Sequence, residues 1–231
     1  MSRTLNVIRM QLVNRQTYIW VPLIVLAGSL VVTLAIYAIL INAGVDGPKY
    51  GGGAQAPLWL LAVVGAQALT RTFPFSQAMS VTRREFYLGT MLTAMLAAAV
   101  LALIFVAGGL LELATGGWGM NGYFFHLPWI WEAGPAVAGL FFFALALLFF
   151  AVGFWGATIY KRAGTAVLMS VMIGLALVLV AVLWLVGRLN AWAEAFGWFA
   201  TQGALGLGLW SLLVIAVLAA ISYLTLRRAT P

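Results

Sequence analysis

Three glutamates, Glu112, Glu132 and Glu194, are the residues whose type suits proton or cation coupling, because ionisable groups in an apolar setting are usually functional. Each stands at the end of an apolar run, where water is within reach, and the expectation is that all three are solvated interface residues. His126 is the only histidine. It excludes a bis-histidine haem and reads as an interfacial loop residue. A serine hydrolase needs a base beside its nucleophile, and no partner motif surrounds His126. With no cysteine there is neither a disulfide framework nor a thiolate metal site. Gly51-Gly52-Gly53 lacks the lysine and helix of a phosphate cradle, so any use of ATP must be borrowed from another chain. The expectation is no catalytic residue, no metal site and no cofactor.

A second group of residues is suited to docking rather than chemistry. Phe73, Pro74, Phe75 and Met79 precede Thr82-Arg83-Arg84-Glu85, in which Glu85 can reach back to Thr82 as a capping box and start a helix. On one reading Arg71, Arg83 and Arg84 only set topology, and Phe73, Phe75 and Met79 float at the membrane interface. On the other, Pro74 starts a short helix that offers Phe75 and Met79 to a partner's groove. Physics alone leaves both open.

The elements that must position these residues follow from composition. Of 231 residues 65% are hydrophobic and 7% charged, against roughly 45–50% and about 25% in a soluble domain. A bilayer crossing needs about 20 apolar residues, which leaves room for about six. The expected fold is all-α, a single polytopic membrane domain over 1–231. Its spans lie at 18–41, 57–73, 86–112, 135–160, 163–187 and 203–226, with a cytoplasmic loop at 74–85. Residues 1–17 read as an amphipathic interfacial elbow helix, with Leu5, Ile8 and Leu12 on one side and Arg9 and Arg15 flanking. The apolar run that follows is too long for a signal-peptide core and lacks its cleavage site. Lys161-Arg162 reads as the hinge between the fourth and fifth spans. In 188–201, Leu189, Trp192, Phe196 and Phe199 share one face, which suits a short helix lying flat at the outer interface.

Charge gives the orientation. Arg3, Arg9, Arg15, Arg71, Arg83, Arg84, Lys161, Arg162, Arg227 and Arg228 fall on one side of this arrangement, and only Lys49 and Arg188 on the other. That bias places both ends in the cytoplasm. The formal charge of +7 is therefore topogenic and does not point to nucleic acid. No internal repeat relates the two halves, which disfavours an inverted-repeat transporter. Small residues four apart, Gly153 with Ala157, Ser170 with Gly174 and Ala204 with Gly208, suit close helix packing in the bundle.

The order of elements resembles the permease subunit of type-2, exporter-like ABC transporters, across the whole chain. The resemblance rests on the elbow helix, the six spans, the Pro-Phe-Ser-x-x-x-Ser-x-Thr-Arg-Arg-Glu-Phe run from Pro74 to Phe86, and the aromatic element before the last span, which is shorter here than in many members. It implies a bacterial inner-membrane protein that pairs with a second permease copy, docks a separate ABC ATPase through Phe73, Pro74, Phe75, Met79, Thr82, Arg83, Arg84 and Glu85, and exports an amphipathic or hydrophobic solute. The competing class is a substrate-capture subunit of an energy-coupling-factor vitamin importer, also six-helix and without an ATPase. The elbow helix and long inner loop argue against it.

Overall fold

The computed structural model describes residues 7–11 and 19–227. Helix α1 spans Val21–Asn42, α2 Ala56–Gln67, α3 Phe73–Ala78, α4 Arg83–Ala114, α5 Pro128–Trp131, α6 Pro135–Arg188 and α7 Trp192–Leu226. The only strands among the described residues, β1 at Lys49–Tyr50 and β2 at Gly122–Tyr123, pair in parallel. Five helical stretches are long and apolar enough to cross a membrane: Val21–Asn42, Gly53–Ala78, Arg83–Ala114, Pro135–Arg188 and Trp192–Leu226. The chain is an all-α protein of multi-pass membrane character.

The first half of α6 is the centre of the bundle, burying Ala138, Phe141, Phe142, Ala146, Leu147, Phe150, Phe154 and Ala157. It meets α2 backbone to backbone. A β-carbon added at Gly65 would fall on the Phe150 carbonyl oxygen, and one at Gly153 on that of Ala62. The Gly153/Ala157 pair thus serves a crossing within the chain, and Gly208 likewise lets α7 approach the Phe141 backbone. Helix α4 turns a regular stripe onto the same centre, including Phe86, Thr90, Ala94, Ala98, Leu101 and Phe105. Helix α1 contributes one narrow stripe, Pro22, Leu26, Thr33 and Tyr37.

Several expected boundaries move. The chain does not turn at Lys161-Arg162, which are helical. It breaks at Gly164 (φ 80°, ψ −179°), and α7 breaks in the same way at Gly203 (φ 57°, ψ −170°). Both conformations are open essentially only to glycine, whereas a basic pair specifies a side of the membrane and not a backbone angle. From Gly164 to Gly203 no residue is buried; the break at Gly203 sets 192–202 apart as a short helical stretch before the last span, at the boundary expected for the segment 188–201. The second apolar stretch continues through a π-type turn at Ala68–Thr72 into α3, and with the start of α4 this makes two thirds of the expected loop 74–85 helical. Of the elbow, residues 7–11 are helical and pack Val7 and Gln11 against the bundle, with Ile8 half-buried. Leu5, Leu12, Arg15 and Arg228 lie outside the described residues.

The crossing of α2 and α6 has only main chain on either side, so nothing flexible can yield to a side chain. Gly65→Val and Gly153→Val should each lower stability by about 1–3 kcal/mol or more. Gly174→Val, at an open position, should change it by less than about 0.5 kcal/mol. Thermal unfolding of the detergent-purified chain measures all three.

Candidate functional site

Helix α4 connects two places where polar chemistry is concentrated, one at each end. At its C-terminal end Glu112 is 0% exposed. One carboxylate oxygen accepts from the Trp118 indole Nε1 (2.8 Å) and the Phe124 amide (2.8 Å), and the other from the amides of Phe125 (2.8 Å) and His126 (2.7 Å). Four donors occupy the roughly four lone-pair sites of a carboxylate. The expectation of a solvated Glu112 is therefore corrected. The loop folds back and wraps its own backbone donors around the side chain, leaving no free lone pair for a transported cation. Glu132 and Glu194 are exposed, as expected.

The sequence permits this cage because Gly108 and Gly109 precede Glu112 by one turn. Their missing side chains make room for the Phe125 ring and the Trp131 ring respectively, and the Trp131 indole then donates to the Phe125 carbonyl (3.2 Å). Trp118 takes a left-handed conformation (φ 60°), held by its indole bond to Glu112 and by its amide bond to the Thr115 hydroxyl (3.0 Å). The His126 ring lies tilted against both Tyr123 and Trp131, with ring centres 5.7 and 5.0 Å away. Outward from the cage, β2 pairs with β1, the Tyr37 hydroxyl of α1 donates to the Tyr123 carbonyl (2.9 Å), and Gly122 lies against the Tyr37 ring. Lys49, counted with Arg188 on the less basic side, is buried and donates to the carbonyls of Gly47 (3.1 Å) and Met120 (3.3 Å). The result is a cap over one end of the bundle, with a cavity of about 180 Å³ beneath it among Ala54, Leu58, Phe105, Ile130 and Phe142.

At the opposite, basic end the docking candidates divide into two sets. Phe73 is 1% exposed and packs edge-to-face on Phe86 of α4, with ring centres 5.1 Å apart. Its expected place in a docking face is corrected, because it anchors α3 to the bundle. Phe75, on α3, and Met79, the residue that caps its C-terminal end, are 57% and 59% exposed. Pro74 sits in the first turn of α3, with Phe73 as the first residue. The Ser76 hydroxyl donates to the Phe73 carbonyl (2.7 Å), and the Gln77 amide to the Val81 carbonyl (3.0 Å), closing the turn toward α4.

The capping box at the start of α4 is present on both sides. The Thr82 amide donates to Glu85 Oε2 (3.0 Å) and the Glu85 amide to Thr82 Oγ1 (3.3 Å). Arg83 donates to the Arg227 carbonyl at the end of α7 (2.8 Å), while Arg84 is exposed. Two further bonds lie deeper. The Tyr87 hydroxyl donates to the Ala219 carbonyl (2.8 Å) and the Gln11 amide to the Thr90 hydroxyl (2.7 Å). Among the described residues no group of His, Asp and Glu is placed to hold a metal ion.

Removing the caged carboxylate strands three amides and an indole. Glu112→Ala should lose about 3–5 kcal/mol, and Glu112→Gln should also be strongly destabilised, because its amide group would face donors. Glu132→Gln and Glu194→Gln should stay near wild type. Thermal unfolding is the measurement, and a Glu112→Gln protein as stable as wild type would contradict a structural role for this residue. No protein-family model matches the chain, and no curated protein or solved structure matches it.

Proposed function

We propose that this chain is the membrane-spanning permease subunit of an ATP-driven, type-2 ABC exporter-like transporter, energised by a separate ATPase chain. The observation that supports it best is the exposed pair of Phe75, on a short helix that is itself anchored, and Met79, at that helix's C-terminal cap. Phe73 sits under Phe86, and the Thr82–Glu85 box joins the loop to α4. Apolar residues exposed on a rigidly held helix suit a groove in a partner. The interruption at Gly164 divides the 54-residue α6 into two stretches, each long enough to cross a bilayer, which gives six spans in all. Both ends and α3 then lie in the cytoplasm and the Glu112 cap lies outside. In this reading the uncovered helix on either side of Arg188 is free to meet a second permease copy or lipid.

The cavity beneath the cap, about 180 Å³, is smaller than the roughly 300–1,000 Å³ of a drug-sized site. It lends no weight to a vitamin-capture subunit.

Topology is tested by single cysteines in a chain that has none. Asp46→Cys, Glu132→Cys and Glu194→Cys should react with an impermeant thiol reagent in intact cells, and Arg84→Cys and Lys161→Cys should not. Reaction at position 161 from outside would refute six spans with both ends inside.

Docking is tested by co-purification with an ABC ATPase encoded beside this chain. The purified chain alone should hydrolyse no ATP. The double variant Phe75→Ala/Met79→Ala should weaken ATPase capture by about 1–3 kcal/mol, with membrane insertion intact. Arg71→Gln, outside the exposed pair, should capture it normally. Wild-type capture and stimulation by the double variant would leave the loop as a topology signal only.

A further inference from the structure

A cavity of about 430 Å³ opens at the basic end between α6 and α7, lined by Arg162, Ile221, Leu224, Thr225 and Arg227. Two arginines, Arg162 of α6 and Arg227 just beyond α7, line it, and neither forms an ion pair among the described residues. Arg162 lies two residues before the Gly164 break, and Arg227 directly follows α7 with its guanidinium over the Tyr223 ring (5.9 Å). Arg83 donates to the Arg227 carbonyl (2.8 Å), which brings a third arginine to the same rim. Arginines gathered at one rim repel one another, and an anion between them removes that cost; the nearby Glu85 carboxylate is engaged in its capping box with Thr82. The Thr225 hydroxyl already donates to the Ile221 carbonyl (2.8 Å), so the donors available to a ligand are the arginines.

The remaining wall is apolar. Ile221 and Leu224 are exposed on the face of α7 that borders the cavity. A ligand that satisfies both walls carries an anionic group with several acceptor oxygens, matched to the planar guanidinium fork, and a hydrocarbon chain attached to it. Free phosphate satisfies only the first wall. We propose that this pocket binds an anionic phospholipid, with the phosphate between Arg162 and Arg227 and an acyl chain along Ile221 and Leu224. Basic pockets between membrane helices at the cytoplasmic face hold such headgroups in general. The proposal requires only membrane insertion and stands apart from the permease reading.

The test uses the full chain in neutral detergent, with phosphatidylglycerol, phosphatidylcholine and inorganic phosphate titrated separately and bound molecules counted by native mass spectrometry. One phosphatidylglycerol should bind about tenfold or more tightly than phosphatidylcholine. Arg162→Gln/Arg227→Gln should weaken it about 30-fold, as expected for two lost arginine contacts. Arg71→Gln/Lys161→Gln removes as much charge from the same end and should shift it by less than about threefold. Photo-crosslinking of the unaltered chain with an azide-bearing phosphatidylglycerol should mark 221–227, a readout independent of whether the variants fold. Equal affinity for the two lipids, displacement of the lipid by inorganic phosphate, or an equal loss in the Arg71→Gln/Lys161→Gln control would overturn the proposal.

Discussion

A buried carboxylate is stable only where hydrogen-bond donors replace the water it has lost, and at Glu112 that requirement shapes one whole end of the protein. The donors are the main-chain amides of Phe124, Phe125 and His126 and the Trp118 indole, so the loop must close on itself to supply them. The relation is mutual. Irregular backbone beside a bilayer has few partners of its own, and the carboxylate satisfies three amides at once. Once 124–126 are fixed, Tyr123 is in place to pair with Tyr50 and to accept from Tyr37. That bond ties α1, which otherwise offers only a narrow stripe to the bundle, to the end of α4.

The two ends of the molecule are organised on different terms. The cap is closed by hydrogen bonds between segments up to 86 residues apart in sequence, such as Tyr37 to Tyr123. The basic end is held by ring packing and single bonds, Phe73 on Phe86, Tyr87 to Ala219, Arg83 to Arg227, and leaves Phe75, Met79, Arg84 and Arg162 exposed. Between them the α2–α6 crossing at Gly65 and Gly153 brings backbones into direct contact, amid the buried rings of Phe150 and Phe154. The helix beyond Gly164 takes no part in that core.

Local signals were legible and distant ones were not. Thr82 and Glu85 lie three apart, so their reciprocal bonds could be read from the sequence, as could the long apolar runs. The cage around Glu112 uses main-chain amides 12 to 14 residues downstream, and amides leave no side-chain signature. The one available hint was the pair Gly108-Gly109 a turn before a glutamate, room for something to pack beside a charge. The burial of Lys49 was illegible for the same reason, since its partners are carbonyls. Phe73 and Phe75 are alike in type and neighbours in sequence, and only the π-type turn at Ala68–Thr72 decides which of them faces inward. The charge pair Lys161-Arg162 drew the expected turn to itself, while the break needs the backbone freedom of Gly164 two residues later.

Helix α4 gives these separate features one mechanical relation. It has no proline and no break over its 32 residues, a rod of roughly 48 Å at about 1.5 Å per residue. A glutamate locks each end to an adjoining loop, Glu85 through the capping box to the segment that carries Phe75 and Met79, and Glu112 through its cage to the cap. Helices resist axial compression better than loops, so a push delivered to α3 by a docked partner would pass through Phe73 and Phe86 into α4 as a rigid shift. The cage would then carry that shift into the cap, because its four bonds to one side chain move together. Under the permease reading, this is how an ATPase on one face of the membrane could act on a closure at the other without a charged pathway between them.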